Sequence, residues 1–437
     1  MLLRSIFRPM AWSILFVIFA GFTLVSCPTQ PTNPPNPATL SVEYTTCTEV
    51  WLRVTLLDST EHTGVRVYRG DSLVMNFPVT PPDTVVIDTG LTPNTTYAYH
   101  TVRVQENHEQ SPGDPLRVTT LPTTSHNFTW TIDTLGNYGS YLNDVAIVDE
   151  DDIWVAGNIV TDSMEYNAAR WDGEQWQLIR IAPAGYFGPI TAVYAFSSDD
   201  IWFGKYGLAF HFNGTSFTRY EPSNSSFPGM PSLNAIWGTS SSNLYFVGDN
   251  GSIVHYDGAT FTRIESGHDV RLTEIAGTPD DDYVFIAGYS FVLPVSTTAL
   301  MLHNGELTTL YYADHLTPET PTDLGAVSAV GVTDNVVTFV TYQGLWQREL
   351  HTGFTRLDKR VRHYEYHSMH TQGANDILLA GGGFKYAHFN GATWDLNEDL
   401  FNQYHLSTGS INLFQNTAVI VGFIQGGSHA IVARGRR

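Results

Sequence analysis

Three groups of side chains in this 437-residue chain are of types that could do chemistry. Acidic residues cluster as Asp149-Glu150-Asp151-Asp152, Asp199-Asp200 and Asp280-Asp281-Asp282, and oxygen-rich loops are what Ca²⁺ takes. Histidines gather at His363, His367 and His370, beside Tyr364, Glu365 and Tyr366. Aromatic residues recur in Gly185-Tyr186-Phe187, in Tyr289 to Ser296, in Tyr311 to Gly325 and in Gly381 to Tyr386. The acidic clusters lack EF-hand ligand spacing and fall where a turn needs Asp to bond its own backbone, so they are read as turns and no metal is assigned. His367 and His370 fall on a strand, where a separation of three sends them to opposite faces, so they are read as satisfied structural histidines. No Ser/His/Asp set, P-loop or zinc signature occurs, so no catalytic residue and no cofactor is assigned. The aromatics remain. Tyr186, Phe187, Tyr289, Phe291, Tyr311, Tyr312 and Tyr386 are the candidate ligand-binding side chains, because rings on loops give contact area at small entropic cost.

The elements that must position them are strands. Aromatics make up 13% of the chain and charged residues 15%, with 37 glycines, a mix that favours short strands and tight turns over helices. The net charge is −21 without a Lys/Arg cluster, which argues against a nucleic-acid partner. From residue 126 to the C-terminus a unit recurs. Leu142 to Ile147 is followed at an offset of ten by Asp152 to Gly157, and the same offset joins Ile190 to Asp200, Leu233 to Asn243, Leu272 to Asp282 and Tyr366 to Asp376. A third run then ends in Trp171-Asp172-Gly173, Phe212-Asn213-Gly214, Tyr256-Asp257-Gly258 or Phe389-Asn390-Gly391, with His303-Asn304-Gly305 as a weakened copy. Trp176, Phe217, Phe261 and Trp394 open a fourth. Asn-Gly and Asp-Gly suit two-residue type I′ hairpins, so each unit is predicted as four antiparallel strands in about 44 residues, the length of a β-propeller blade.

First strands are expected near Leu142, Ile190, Leu233, Leu272, Ala326, Tyr366 and Ser410, which makes about seven blades. The last stops after three strands, at Ala430 to Ala433, while Phe128 to Ile132 is a fourth strand with no blade before it. Joining the two closes the ring and removes both edges. In such a ring the short turns between first and second and between third and fourth strands share one face. The long aromatic loops share the other. Ile236-Trp237-Gly238-Thr239 resembles the core of propeller repeats in bacterial surface lipoproteins, a family defined by architecture more than by one activity. Nothing resembles the Asp boxes of sialidases or the tryptophan docking repeats of quinoprotein propellers.

Residues 39–122 alternate apolar and polar positions in short runs, the pattern of a half-buried sandwich. Gly90-Leu91-Thr92-Pro93-Asn94-Thr95-Thr96-Tyr97 resembles the L-x-P-x-T-x-Y segment of fibronectin type III domains. That resemblance implies an immunoglobulin-like fold with Leu91 in the core, Tyr97 as the tyrosine corner and Trp51 as the core aromatic of the second strand. Arg69-Gly70-Asp71-Ser72 is read as a hairpin turn, and Cys47 as a small buried residue.

Ahead of the sandwich, Arg4 and Arg8 precede an uncharged apolar run from Met10 to Val25, too short to span a bilayer. Leu24-Val25-Ser26-Cys27 resembles the lipobox of bacterial lipoproteins. It implies a signal peptide over 1–26 and a lipid anchor on Cys27, with Pro28 in place of Asp implying no inner-membrane retention in a Gram-negative cell. Residues 27–38 form a Pro-rich tether. The whole is an all-β chain, a fibronectin type III-like sandwich over 39–122 and a propeller over 126–437. It is expected in the cell envelope, at the outer membrane or cell surface, partnered with the membrane through its lipid and with a glycan or protein through the long-loop face. The alternative is a surface hydrolase or lyase acting on glycans in the propeller funnel. Cys27→Ser should abolish metabolic palmitate labelling and leave an uncleaved or soluble form. Unchanged labelling would remove Cys27 as the lipid site.

Overall fold

The structure, a computed structural model, describes residues 38–56, 64–77, 84–105, 108–109, 112–222, 232–290, 295–316, 324–350, 353, 355–359, 361, 366–397, 406–424 and 429–437. The expected signal peptide, Cys27, most of the tether, His363 and Phe291 lie outside the described residues.

Strands β1 (Ala38–Thr45), β2 (Glu49–Leu56), β3 (Gly64–Arg69), β4 (Ser72–Phe77), β5 (Thr84–Thr89), β6 (Thr96–Gln105), β7 (His108–Glu109) and β8 (Leu116–Thr119) form two antiparallel sheets. Their orders are β1-β2-β5 and β4-β3-β6-β7, with β8 also paired to β6. Period-two alternation sends Val50, Leu52 and Val54 of β2 into a core with Val65, Val67, Val86, Leu91 and Tyr99. Leu91 is buried, and the Thr92 N–H donates to Tyr97 Oη at 2.9 Å, pinning the turn before β6. Gly70 takes a φ of +55° in the β3–β4 turn, while Arg69 pairs with the buried Asp88 at 2.7 Å.

Seven four-stranded antiparallel sheets, I to VII, follow. Their first strands are Tyr141–Asp149, Ala192–Ser197, Leu233–Ser240, Leu272–Gly277, Val327–Thr333, Tyr366–Gly373 and Leu406–Phe414. Each first strand adjoins the next, and that of sheet VII adjoins that of sheet I. Sheet VII starts four residues earlier than the sequence pattern places it. Its fourth strand is β9 (Thr129–Leu135), paired in register with Ala430–Arg436. Trp130 of β9 lies against Gly435 and Tyr386, and Asp133 accepts from Arg434 Nε at 2.7 Å and Trp176 Nε1 at 3.0 Å. The fold is β-propeller-like and nearly devoid of helix.

The Asp-Gly and Asn-Gly turns differ from expectation. Only the glycines of Asp172-Gly173, Asn213-Gly214, Asp257-Gly258 and Asn390-Gly391 have positive φ, between +85° and +94°. Each Asp or Asn instead accepts from the N–H groups two and three residues on, as Asp172 does from Glu174 and Gln175 at 3.0 and 2.8 Å. These are four-residue Asx loops, with the side chain replacing a second strained backbone position. The weakened copy, Asn304-Gly305, is the one with both φ values positive, +52° and +75°, closing a two-residue hairpin between His303 and Glu306.

A bulge recurs near the start of the first strands. The register shifts between Leu142 and Asp144, Leu233 and Ala235, Leu272 and Glu274, Val327 and Ala329, Tyr366 and Ser368, and Thr408 and Ser410. The extra residue aims its side chain at the neighbouring sheet. Asn143 Nδ2 donates to Ile190 O at 2.7 Å, Asn234 Nδ2 to Leu272 O at 2.9 Å, Thr273 Oγ1 to Ser328 O at 3.3 Å and Ser328 Oγ to Tyr366 O at 2.8 Å. Thr191, just ahead of the sheet II strand, makes the same bond to Leu233 O. At the seam between sheets VII and I the bulged residue is Gly409, where a Cβ would sit 2.5 Å from Leu142 O and 2.8 Å from Asn143 O. Gly409→Ala should therefore cost about 3 kcal/mol of propeller stability in a thermal melt, whereas Gly382→Ala, whose Cβ meets open space, should be near neutral. Equal effects would show that the seam tolerates separation.

Candidate functional site

Antiparallel order gives the propeller two rims, and the sandwich covers part of one. Turns between first and second strands and between third and fourth strands lie on the covered rim. There the Tyr44 and Thr333 hydroxyls bond at 3.2 Å, Asn335 Nδ2 donates to Glu43 O at 2.8 Å, and Arg356 Nη1 donates to both Glu49 oxygens at 2.8 and 3.0 Å. Trp51 belongs to this junction, not to the sandwich core. It alternates with Val50 and Leu52 on β2, so it points out of the sandwich, where it packs with Tyr44, Val336 and Ala374. Cys47 is buried here too, against Gly391, and burial pushes its thiol up to about 11.

The opposite rim carries the turns between second and third strands and the crossings between sheets. Every exposed tyrosine among the described propeller residues is on it. Tyr138 (76% exposed) precedes sheet I, Tyr186 lies in the crossing to sheet II, and Tyr206 (69% exposed) and Tyr342 tip turns of sheets II and V. Tyr312 ends the long fourth strand of sheet IV, and the exposed Met164 tips a turn of sheet I. Of the sequence-predicted residues, Tyr186 rests on Arg219 at 4.1 Å, Phe187 on Arg180 at 3.7 Å, and Tyr312 stacks on His268 at 4.3 Å. Three others depart from expectation. Tyr386 is buried, because it opens a third strand and lies under Trp130 of the closing strand. Tyr311 packs between sheets IV and V, since Glu306–Leu316 is strand where a loop is expected. Tyr289 is half-buried and lines the central channel. Tyr138, Tyr206, Tyr342 and Met164 escaped the sequence reading because it searched long loops. Tyr-Gly in Tyr206-Gly207, between two apolar runs, was the available signal.

The channel is a cavity of about 670 Å³ on the ring axis. Its lining includes Asp144, Arg271, Glu274, Tyr289, His367 and His370. The two histidines correct the sequence expectation. His367 is a bulge residue, and one extra residue flips the alternation, so both line the channel. Burial holds both below the usual imidazole range, His370 at about 4. Asp144 is raised to about 6 by burial, against the opposing effect of bonds from the Val193 and Val145 N–H groups and Ser410. Glu274 is raised well above the ordinary carboxyl range by burial and by Asp144. Both acids keep some access to the channel while protein surrounds them.

In the acidic turn clusters, Asp152 and Asp200 are held by neighbouring side chains. Asp152 forms a two-pronged pair with Arg170 at 2.7 and 2.8 Å, and Asp200 accepts from His211 at 2.8 Å and from Ser241, which in turn accepts from Trp202. Among the described residues no three His, Cys, Asp or Glu side chains come together as a metal-ligating group.

Fold and rims together define a chain of the β-propeller-like class. No protein-family model matches it, and no curated protein matches it in sequence. Solved structures do. A structure of YCF48 bound to D1 peptide aligns over 72% of this chain and 99% of its own, with a TM-score of 0.50 and 16% identity, which shows a shared fold. The WD40 β-propeller domain of Doa1 aligns over 71% of this chain and 98% of its own (TM-score 0.49, 11% identity). The extracellular domain of a one-component system protein from B. thetaiotaomicron aligns over 70% of this chain and 40% of its own (TM-score 0.49, 14% identity).

The channel carboxyls make stability depend on pH. The Glu274 pKa is higher folded than unfolded, so its contribution is complete in acid and declines as pH rises through the folded value. His367 and His370, held low, act oppositely and lose stability as pH falls below the ordinary imidazole value. The difference between Glu274→Gln and the unaltered chain isolates the carboxyl. It should be near zero in acid, where the carboxyl is neutral in both states, and become a growing gain for the variant as pH rises. A difference flat with pH would show that Glu274 titrates normally.

Proposed function

We propose that this chain is a non-enzymatic binding protein of the cell envelope, anchored through lipid on Cys27. In this reading a fibronectin type III-like module (39–122) carries a seven-bladed propeller (126–437) that recognises a protein or glycan on its uncovered rim. One observation carries the reading. All five exposed tyrosines of the described propeller residues open on the rim that the sandwich leaves free. Tyrosine supplies large amphipathic contact area with few rotatable bonds, and exposed aromatic clusters of this kind mark recognition surfaces. Apposition of the sandwich to the other rim presents the tyrosines away from the attachment point. The YCF48 structure of the same fold holds a peptide, which makes a peptide or protein the first ligand class to try.

A second reading, a hydrolase or lyase acting on glycans in the funnel, draws on the two raised channel carboxyls. The Asp144 carboxylate is already held by two backbone N–H groups, which ties it to the scaffold as a strand-positioning group. That favours binding over catalysis.

The test is a glycan and cell-envelope protein array probed with the full chain. Tyr206→Ala with Tyr342→Ala should weaken any captured ligand at least thirtyfold, the loss expected for about 2 kcal/mol of anchor energy, without moving the melting temperature. Asp151→Ala on the covered rim should change little. Retention of binding by the tyrosine variant would place the ligand elsewhere.

A further inference from the structure

The channel holds an unsatisfied charge partner at the centre of the tyrosine rim. Glu274 has no hydrogen-bond or ion-pair partner in the described structure, whereas Asp144 accepts from Val193 and Val145. Arg271, three residues before Glu274, turns to Asp249 at 3.3 Å and to Asn234 at 3.4 Å. His370 Nδ1 is buried without a partner. Among the described residues Tyr194, Tyr289 and His367 complete the titratable lining, so Arg271 is its one cation there against two carboxyls. A carboxyl enclosed by protein and left unpaired is costly to ionise, and a cation bearing several N–H donors is the chemistry that satisfies it. Glu274 is the third of six residues in its strand, Leu272–Gly277, in the half nearer the uncovered rim.

We propose that the channel mouth takes up an organic cation, a guanidinium or ammonium group, with Glu274 as its charge partner and Asp144 adding a second negative group. Without the cation, burial leaves Glu274 holding its proton. On uptake the carboxylic acid releases that proton to solvent and the cation takes its place, with no covalent bond to carbon made or broken. Affinity therefore rises with pH until Glu274 is ionised in the free protein. Uptake of a small free cation stands on the channel alone. Delivery of the cation as an arginine or lysine side chain of a bound partner rests on the rim reading above.

The experiment is calorimetric titration of the full chain with Nα-acetylated argininamide (argininamide below), with its neutral counterpart Nα-acetylated citrullinamide (citrullinamide below), and with an acetylated, amidated pentapeptide bearing one central arginine. Argininamide should bind with proton release and with affinity that increases as pH rises. Citrullinamide should bind at least tenfold more weakly. Glu274→Gln should reduce argininamide affinity at least tenfold while melting no lower than the unaltered chain, and Asp151→Ala on the covered rim should leave argininamide binding intact. A pentapeptide tighter than argininamide identifies a side chain as the source, and an equal or weaker one identifies a free cation. Equal binding of citrullinamide, an unaffected Glu274→Gln, or no argininamide binding overturns the proposal. If the array still yields a tyrosine-dependent ligand, that failure leaves the rim reading standing.

Discussion

The propeller depends on a contact that backbone hydrogen bonding cannot make. Each sheet is complete within itself, and among the described residues no ladder joins one sheet to the next. Cohesion around the ring therefore falls to side chains: the apolar clusters between neighbouring sheets and the bulge residues that reach to the next first strand. The bulge solves a geometric problem. A regular strand would turn alternate side chains toward its two neighbours. One inserted residue frees a short polar side chain to bond a carbonyl across the gap, satisfying a group that the edge strand leaves unpaired. Glycine at the seam shows how close the approach becomes where sheet VII meets sheet I.

The same device creates the site. Placing polar groups just inside the channel leaves polar side chains at the ring axis, so a channel built for closure is also a polar cavity. Asp144 and Glu274 occupy equivalent positions in sheets I and IV, each the residue after a bulge, yet only Asp144 is engaged by backbone donors. One scaffold position thus serves structure in one sheet and stands open in another. Repeat folds acquire binding groups in this way, since a position whose partner is lost in one copy is still held in place by the others.

Much of this architecture was legible in the sequence because period-two alternation and the ten-residue offset report strands directly. The orphan strand near Trp130 was legible for the same reason. What escaped had a common cause, in that alternation states which residues share a face and not what that face meets. Trp51 was correctly a buried position, but its face meets the propeller. His367 and His370 were assigned opposite faces by counting, and an inserted residue that leaves no mark in the sequence reversed the count. Asp172 and its equivalents signalled turns truly, while the choice between a strained backbone and a side-chain cap depends on loop length in three dimensions. For the candidate site, the rim was identifiable from strand order alone. Which tyrosines reach solvent was less so, because Tyr386 is buried by a strand-borne Trp130 that is distant in sequence.

The junction between sandwich and propeller has a mechanical consequence. The sandwich leads within a few residues into β9, the strand whose pairing completes sheet VII, so tension on the chain ahead of Ala38 would otherwise peel that strand from its neighbour one bond at a time. Before the load reaches β9 it meets a clamp. Thr124 bonds Asn375 and Asn390, Asn375 holds Pro122, and Arg437 grips Ser125 while paired with Asp376. Together with Arg356 on Glu49, these contacts share the load with sheets V and VI before it reaches β9. The sandwich thus acts as a strain relief, and the ring can stay shut if the chain ahead of it is pulled.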